Sequence, residues 1–597
     1  MTTVGFDFGT TNSLIAVPVG NRMIPLLDER GLPTPSVVAY EGERTIVGQP
    51  ARELLDSPDL GLHGNIVRSP KFLLRDQTID VGGVARSPVD IVADVLRHIR
   101  EEALQTPIDV DLMGLRSVVV TIPVQMAGEA RSALRQAFAR AGMEVKQFIH
   151  EPLAALYGHL RASADLATAL RERDQSRILV ADWGGGTLDL TLCELDRGHL
   201  VQIRNAGTTS VGGDHLDVRI KNRVLDAASA RWSASQRDAV SRAAHRRLLA
   251  ASERAKIKLS DAEAYTVYVP NFLEGSDGDL ELRIDRAWLD ATIGREVAEG
   301  VRQAEQLLEE AAVGVPEVDE CLLTGGMANM PSVAAKLREL FGPRRVAIAT
   351  NSTTMIAEGA AWVAADEQPL VLAKDAQVTL ARQSFLELFA SGDVMPTAGN
   401  RLVRSSELFC ADPRDGHARF ELCSPTRPGR NIPQNETRRT LERFSVRVDD
   451  RAAPFRERIH FEASIDEDLI LHATATSSNV RDKSSVAVHD LEFALSVGDG
   501  ASPPSGARMG VQEADPFGPG DLVVRSNLAP EPDDRYVPGE LLYELKPGYF
   551  ARHSRPPDVQ VEERLYYKPC AICGRRANHH DCRCGDQVSR PTRRTAS

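Results

Sequence analysis

The spacing of hydrophobic positions changes character along the chain. Up to about residue 366 two patterns alternate. Runs such as Ser117–Ile122 and Ile178–Ala181 are apolar and β-branched and end at turns containing Pro or Gly, which predicts strands. Between such runs, Val92, Val95, Leu96, Ile99 and Ala103 step by threes and fours. So do Ala130, Ala133, Leu134, Ala137, Phe138 and Ala141. Each group therefore falls on one face of a helix. Strands alternating with amphipathic helices predict an α/β domain over 1–366. After a short connector, 367–375, the period becomes two. Phe444–Val448, Ile459–Ile465 and Leu469–Thr476 alternate without long helical runs, which predicts an antiparallel β domain over 376–495. Residues 496–548 hold 8 Pro and 8 Gly in 53 positions, too many for helices, and read as a linker with one ordered patch near Tyr536–Leu545. A cysteine-rich tail, 549–597, completes the chain.

Composition narrows the functional classes. The 597 residues carry a net charge of −13, which argues against a whole-chain binder of nucleic acid or anionic membrane. No run approaches the ~18 apolar residues of a membrane-spanning helix, and MTTVGFDFGTTNS lacks the basic and apolar regions of a secretory signal. Cys193, Cys321, Cys410 and Cys423 are scattered, as suits a reducing cytoplasm.

Two segments share one design. In VGFDFGTTNS and in LVADWGGGTLD an apolar strand ends at Asp7 or Asp182, and Gly and Thr follow. Glycines let backbone N–H groups approach phosphate oxygens. Thr10, Thr11 and Thr187 can add hydroxyl donors, and the two aspartates can hold Mg²⁺, which favours a few carboxylates with water and phosphate oxygens. Each hairpin alone also reads as an ordinary tight turn. The pair, about 175 residues apart, suggests a duplicated core. A third strand-to-glycine segment, CLLTGGMANMP, would let a ribose or a flat base lie on Gly325 and Gly326, or is simply a turn that needs positive φ.

With FDFGTTNS, VVVTIPVQM, FIHEPLAALYG, VADWGGGTLDLTL, TTSVGGDHLD, SERAKIKLS, LLTGGMANMP and AEGAAW in this order, the chain resembles the seventy-kilodalton heat-shock (DnaK-type) chaperones of the actin and sugar-kinase ATPase superfamily. The resemblance is clear over 1–366 and faint over 367–495. It implies an actin-like two-lobed ATPase domain followed by a β-sandwich that binds polypeptide. Asp7 and Asp182 would bind Mg²⁺ through water. Gly9, Thr10, Thr11 and Asn12 would hold the β- and γ-phosphates of ATP or ADP, with Gly184, Gly185, Gly186 and Thr187 opposite. Lys71 would be the catalytic lysine, with Glu151 and Asp189 placing the attacking water beside Asp182 and Thr187. Glu253, Lys256 and Ser260 would contact adenosine, with Gly325 and Gly326 as the facing wall. Pro123 and Arg131 match the family's nucleotide-sensing relay. Without the resemblance Lys71 reads as a solvated loop lysine, and Glu151 beside Pro152 as a helix start. Ile257 and Asn329 stand where the family often has long basic side chains, and Thr353 where it has an Asp. The family's helical lid has no counterpart in 496–548. Unfolded or extended polypeptide clients, a J-domain-type co-chaperone and a nucleotide-exchange factor are the implied partners.

The tail CAICGRRANHHDCRCG places Cys570, Cys573, Cys582 and Cys584 within 15 residues. C-x₂-C followed by Gly has the form of a zinc knuckle, and four soft ligands suit structural Zn²⁺. His579 or His580 could replace one cysteine. A redox dithiol and unliganded thiols are the other readings. Two further functional classes stand beside the chaperone-like ATPase: a nucleotide-binding regulatory scaffold with weak hydrolysis, and a small-molecule kinase on the same fold.

Overall fold

The computed structural model describes residues 2–497 except 56–63, 107–114, 164–165, 197, 231, 233–239, 274–277, 350, 382–383, 429–435 and 453–455, together with 541–546, 549–551, 563–564 and 594–595. The chain divides into two compact units, Met1–Pro369 with Leu495–Ala501, and Leu370–Ala494 with Ser502–Ser597.

Two sheets of one design build the first unit. In one, the strands run in the order Glu144–His150, Ser117–Ile122, Thr3–Phe8, Asn12–Val19, Arg22–Leu26. In the other, Val346–Ile348, Glu320–Thr324, Arg177–Trp183, Leu188–Asp196 and His199–Thr208 follow in the same order. In each, the strand that ends in the motif aspartate is parallel to one neighbour and antiparallel to the next. The duplicated core read from the two hairpins is thus present in the topology. Thr3–Phe8 and Arg177–Trp183 lie inside their sheets, and both are apolar almost throughout, as buried strands are.

The helical faces read from periodicity pack as expected. Val92, Val95, Leu96, Ile99 and Ala103 are buried in helix Pro88–Gln105, and Ala130, Leu134, Ala137 and Phe138 in helix Gly128–Arg140. Phe138 meets Phe6 edge-to-face at 5.0 Å, an arrangement worth about 0.5–1.5 kcal/mol beyond the burial itself. Helix Met355–Ala365 is apolar all round, and nine of its 11 residues are buried. It crosses helix Glu151–Arg161 at backbone contact. A side chain at Gly359 would collide with the Ala154 carbonyl, and a Cβ at Gly158 would come 2.9 Å from the Met355 carbonyl oxygen. Just past its end, Asp366 accepts from the Tyr157 hydroxyl and, at 2.6 Å, from Arg161, whose guanidinium lies 3.9 Å over the Trp362 ring.

The second unit has two antiparallel sheets. One has the order Ser384–Phe389, Ala376–Leu380, His417–Pro425, Arg438–Arg447. The other runs Lys483–Val488, Leu471–Ser477, Arg458–Asp466, Arg401–Cys410. The predicted alternation is visible in Leu471–Ser477, where every second residue is buried. Phe420 of the first sheet stacks on Phe461 of the second at 5.4 Å, joining the two layers.

Two stretches add strands within segments expected to connect domains. Of the connector 367–375, Leu370–Leu372 is a buried strand of the second unit. The Leu372 N–H donates to the Asp393 carbonyl at 2.9 Å, and the Met395 N–H to that of Leu370 at 2.8 Å. Three successive apolar side chains are better buried than left in a flexible connector. Within the expected Pro/Gly linker, Leu541–Lys546 forms a strand that extends the second sheet along Arg401–Cys410, with Leu408 opposite Tyr543. This strand overlaps the ordered patch expected near Tyr536–Leu545. Cys570, Cys573, Cys582 and Cys584 lie outside the described residues.

Candidate active site

Three glycine turns converge. The first joins Thr3–Phe8 to Asn12–Val19, and a side chain on Gly9 would collide with the Asn12 carbonyl. The second joins Arg177–Trp183 to Leu188–Asp196, closed by the Gly184 N–H donating to the Thr187 carbonyl at 2.9 Å. These two turns meet: Gly185 has room only for hydrogen beside Thr11 Oγ1, and Gly186 lies under Thr10 and the Phe72 ring. The third follows Glu320–Thr324. Gly325 has φ +84°, open to glycine at no steric cost, and a Cβ there would come 2.5 Å from Asp182 Oδ1.

Charged side chains from both sheets enter the same space. Lys71, in the 3₁₀ turn Pro70–Arg75, is 6% exposed and donates to Glu151 Oε1 at 2.8 Å. Glu151 begins helix Glu151–Arg161, as its place beside Pro152 suggests, and its carboxylate faces Lys71. Asp7 accepts from the Thr121 hydroxyl at 2.7 Å, and Asp189 from the Val124 N–H at 3.1 Å. Arg131, fully buried, donates to the carbonyls of Met126 at 2.8 Å and Val124 at 3.4 Å, and so braces the loop that holds Asp189.

Buried Glu151, Asp182 and Asp189 and half-buried Asp7 thus gather around the ammonium of Lys71. Burial, reinforced by the charge of Glu151, pushes the Asp7 carboxyl up to about 6 and that of Asp189 up to about 7. Asp182 is pushed well above the usual carboxylate range by burial and then by the charges of Glu151 and Asp189. Asp182 Oδ1, Asp189 Oδ2 and Thr11 Oγ1 are buried without a hydrogen-bond partner in the protein. Buried carboxylate oxygens lacking partners beside N–H-rich turns suit a hydrated Mg²⁺ and phosphate oxygens.

A cavity of about 640 Å³, well within the range of small-molecule sites, joins these parts. Its walls include Asp7, the turn 9–12, Lys71, Glu151, Asp182, the turn 184–187, Glu253, Lys256, Ser260, Gly325 and Gly326. Asp189 is not on the wall. Ile257, half exposed, Asn329 and Thr353 also line it. Two of the expected adenosine contacts are held by protein groups that the sequence reading missed. Glu253 pairs with Arg52 and, at 3.4 Å, with Arg68. Lys256 donates to Asp217 at 2.9 Å and to the Gly213 carbonyl at 3.0 Å. Asp217 is itself raised to about 6 by burial, against the opposing pull of Lys256.

The family model described as "Hsp70 protein" matches residues 3–57 and 74–492. The chain belongs to the Hsp70 family. It is 30% identical over 392 residues to the chaperone protein DnaK of Buchnera aphidicola subsp. Schizaphis graminum (strain Sg), a match that covers 60% of this chain and 58% of that relative. The chain therefore aligns with less than two thirds of the relative's length. In this Hsp70 family member the match skips 58–73, the stretch that carries Lys71 and Phe72, and ends before the cysteine tail. Lys71 is placed by its geometry, as the ion-pair partner of Glu151 on the cavity wall. Among the described residues, no helix is long and apolar enough to cross a membrane.

Proposed function

We propose that the first unit binds ATP with Mg²⁺ in this cavity and hydrolyses it, and that the nucleotide state sets the affinity of the second unit for extended polypeptide segments. The observation that carries this reading is the meeting of three glycine turns with the Lys71–Glu151 pair around buried carboxylate oxygens that lack partners. Residues 9–12 and 184–187 hold the β- and γ-phosphates, and Gly325 and Gly326 face Ser260, Lys256 and Glu253 across the nucleoside. Asp7 and Asp182 would hold Mg²⁺, which would supply positive charge to the phosphates. Phosphoryl transfer to water is mostly positioning and charge stabilisation, and the side chains present supply both. Lys71 offsets charge on the γ-phosphate. Glu151, Asp189 and Thr187 orient the attacking water. Pro123 and Arg131 link the loop that carries Val124, the donor to Asp189, to the rest of the lobe.

A J-domain-type co-chaperone and a nucleotide-exchange factor are the partners this reading calls for, and a reducing cytoplasm suits the buried free thiols of Cys193, Cys321, Cys410 and Cys423. From the sequence alone, Cys570, Cys573, Cys582 and Cys584 are proposed to hold one Zn²⁺.

Lys71→Ala tests the reading. It should lower ATP turnover by about 100-fold or more while ADP affinity stays within about threefold, because binding contacts are spread over three turns whereas Lys71 brings its side-chain charge to the γ-phosphate, which ADP lacks. Unchanged turnover, or complete loss of binding, would contradict the assignment. Nucleotide binding without turnover in the natural chain would favour the regulatory scaffold, and phosphate transfer only when a small acceptor is supplied would favour a kinase.

A further inference from the structure

Phe72 is a large aromatic side chain placed where no core holds it. It follows Lys71 in the 3₁₀ turn Pro70–Arg75, whose preceding residue Ser69 has φ +50°, an uncommon conformation for a non-glycine residue. Such outliers persist where the surroundings fix them, often at functional sites. This backbone turns Lys71 inward and leaves Phe72 44% exposed. The ring nevertheless has a definite seat. A Cβ built on Gly186 would lie 2.6 Å from Phe72 Cζ, 2.9 Å from Cε2 and 2.8 Å from Thr10 Cγ2. The ring, Gly186 and Thr10 therefore meet at one point, and Gly186 is buried beneath them although it belongs to a turn. Thr10 belongs to the first glycine turn and Gly186 to the second.

We propose that Phe72 is a positioning residue that clips the two glycine turns together, so that their N–H groups converge on the phosphates. The nucleotide part of this inference rests on the ATP reading above; the clip itself does not. A half-buried phenyl ring biases the closed arrangement by roughly tenfold. Its location beside Lys71 couples closure of the turns to the placement of the lysine, since adjacent residues of one turn cannot shift independently. The absence of a side chain at Gly186 is what gives the ring its seat.

The test uses the full chain. Amide hydrogen exchange is followed at residues 10–12 and 184–187 without nucleotide, and release of a fluorescent ADP is followed separately. Phe72→Ala should speed exchange in both turns, and ADP release, by about tenfold. Phe72→Leu should recover most of the difference. Exchange in helix Met355–Ala365 should not change, which separates clipping from general loosening. If Phe72→Ala does not fold, Phe72→Val carries the same test with a smaller step. Unchanged exchange in the two turns, or acceleration in one turn alone, overturns the clip. If the turns open as expected but the natural chain binds no ADP, the clip stands and the nucleotide reading falls. If ADP binds and neither exchange nor release changes, the clip falls and the nucleotide reading stands.

Discussion

The two glycine hairpins facing the cavity share a backbone plan and differ in how their aspartates are kept. Asp7, at the end of Thr3–Phe8, receives the Thr121 hydroxyl at 2.7 Å. Asp182, at the end of Arg177–Trp183, has an Oδ1 with no protein partner, and Gly325 is packed against it. The turns differ too. Gly9 is crowded by its own hairpin, whereas Gly185 and Gly186 are crowded by groups from other segments. A duplicated topology therefore fixes where the two aspartates end up, while the side chains around each decide how strongly it needs something from outside the protein.

The largest effect should come from breaking the aspartate difference. Asp182→Asn is expected to lower Mg²⁺-dependent ADP affinity by about 100-fold and Asp7→Asn by about tenfold, because Asp7 already has a protein donor in Thr121 whereas Asp182 Oδ1 has none. Titration calorimetry with and without Mg²⁺ reads both, and equal losses would erase the distinction. Next, Gly185→Ala should destabilise the protein by about 1–3 kcal/mol in urea unfolding, since the methyl group collides with Thr11. Gly184→Ala, whose Cβ would meet only the Thr187 carbonyl at 3.6 Å, should cost less than about 1 kcal/mol. A larger loss at Gly184 would mean that the turns do not meet as described.

A smaller effect concerns pH. The carboxyls of Asp7 and Asp189 are raised from 3.8 to about 6 and about 7. Each contributes stability that is full below about pH 4 and is lost as pH rises through its folded value. Without ligand these sites therefore weaken the fold as pH rises from about 4 to about 8, and a bound cation relieves the cost. The rise in Tm given by Mg²⁺ and ADP should be greater at pH 8 than at pH 5 by ~3 °C or more. An equal or smaller rise at pH 8 would contradict the buried-carboxylate picture. Smallest of all, deleting 566–597 should remove about one zinc per chain by metal analysis and change ADP affinity less than twofold. Protein made in zinc-replete, reducing conditions that carries no zinc would end the zinc assignment.

What could be read before the fold was seen is local. The glycine turns, both aspartates and the helical faces of 88–105 and 128–140 each depend on residues within one or two turns of each other. Arg52 meets Glu253 across 201 residues of chain and Asp217 meets Lys256 across 39. Nothing in the spacing of either pair marks it, because surface and buried ion pairs look alike in sequence. Phe72 carries no sequence signature for a related reason: what it meets at the second glycine turn is a methyl group and a glycine. Leu370–Leu372 is a strand that the pattern does not mark, because three apolar residues between polar neighbours suit a connector as well as a short buried strand. The strand Leu541–Lys546 was only partly anticipated, since its pairing edge lies more than 130 residues upstream.

The crossing of helices Glu151–Arg161 and Met355–Ala365 has one more consequence. Their backbones touch at Gly359, and their ends are tied by Tyr157 and Arg161 to Asp366. The pair is therefore one stiff piece, closest at the glycine contact, with the carboxylate that pairs with Lys71 at one end and Asp366 at the other. On the proposed function, a shift of Glu151 as the γ-phosphate departs would reach Asp366, because backbones in contact leave no gap to absorb it.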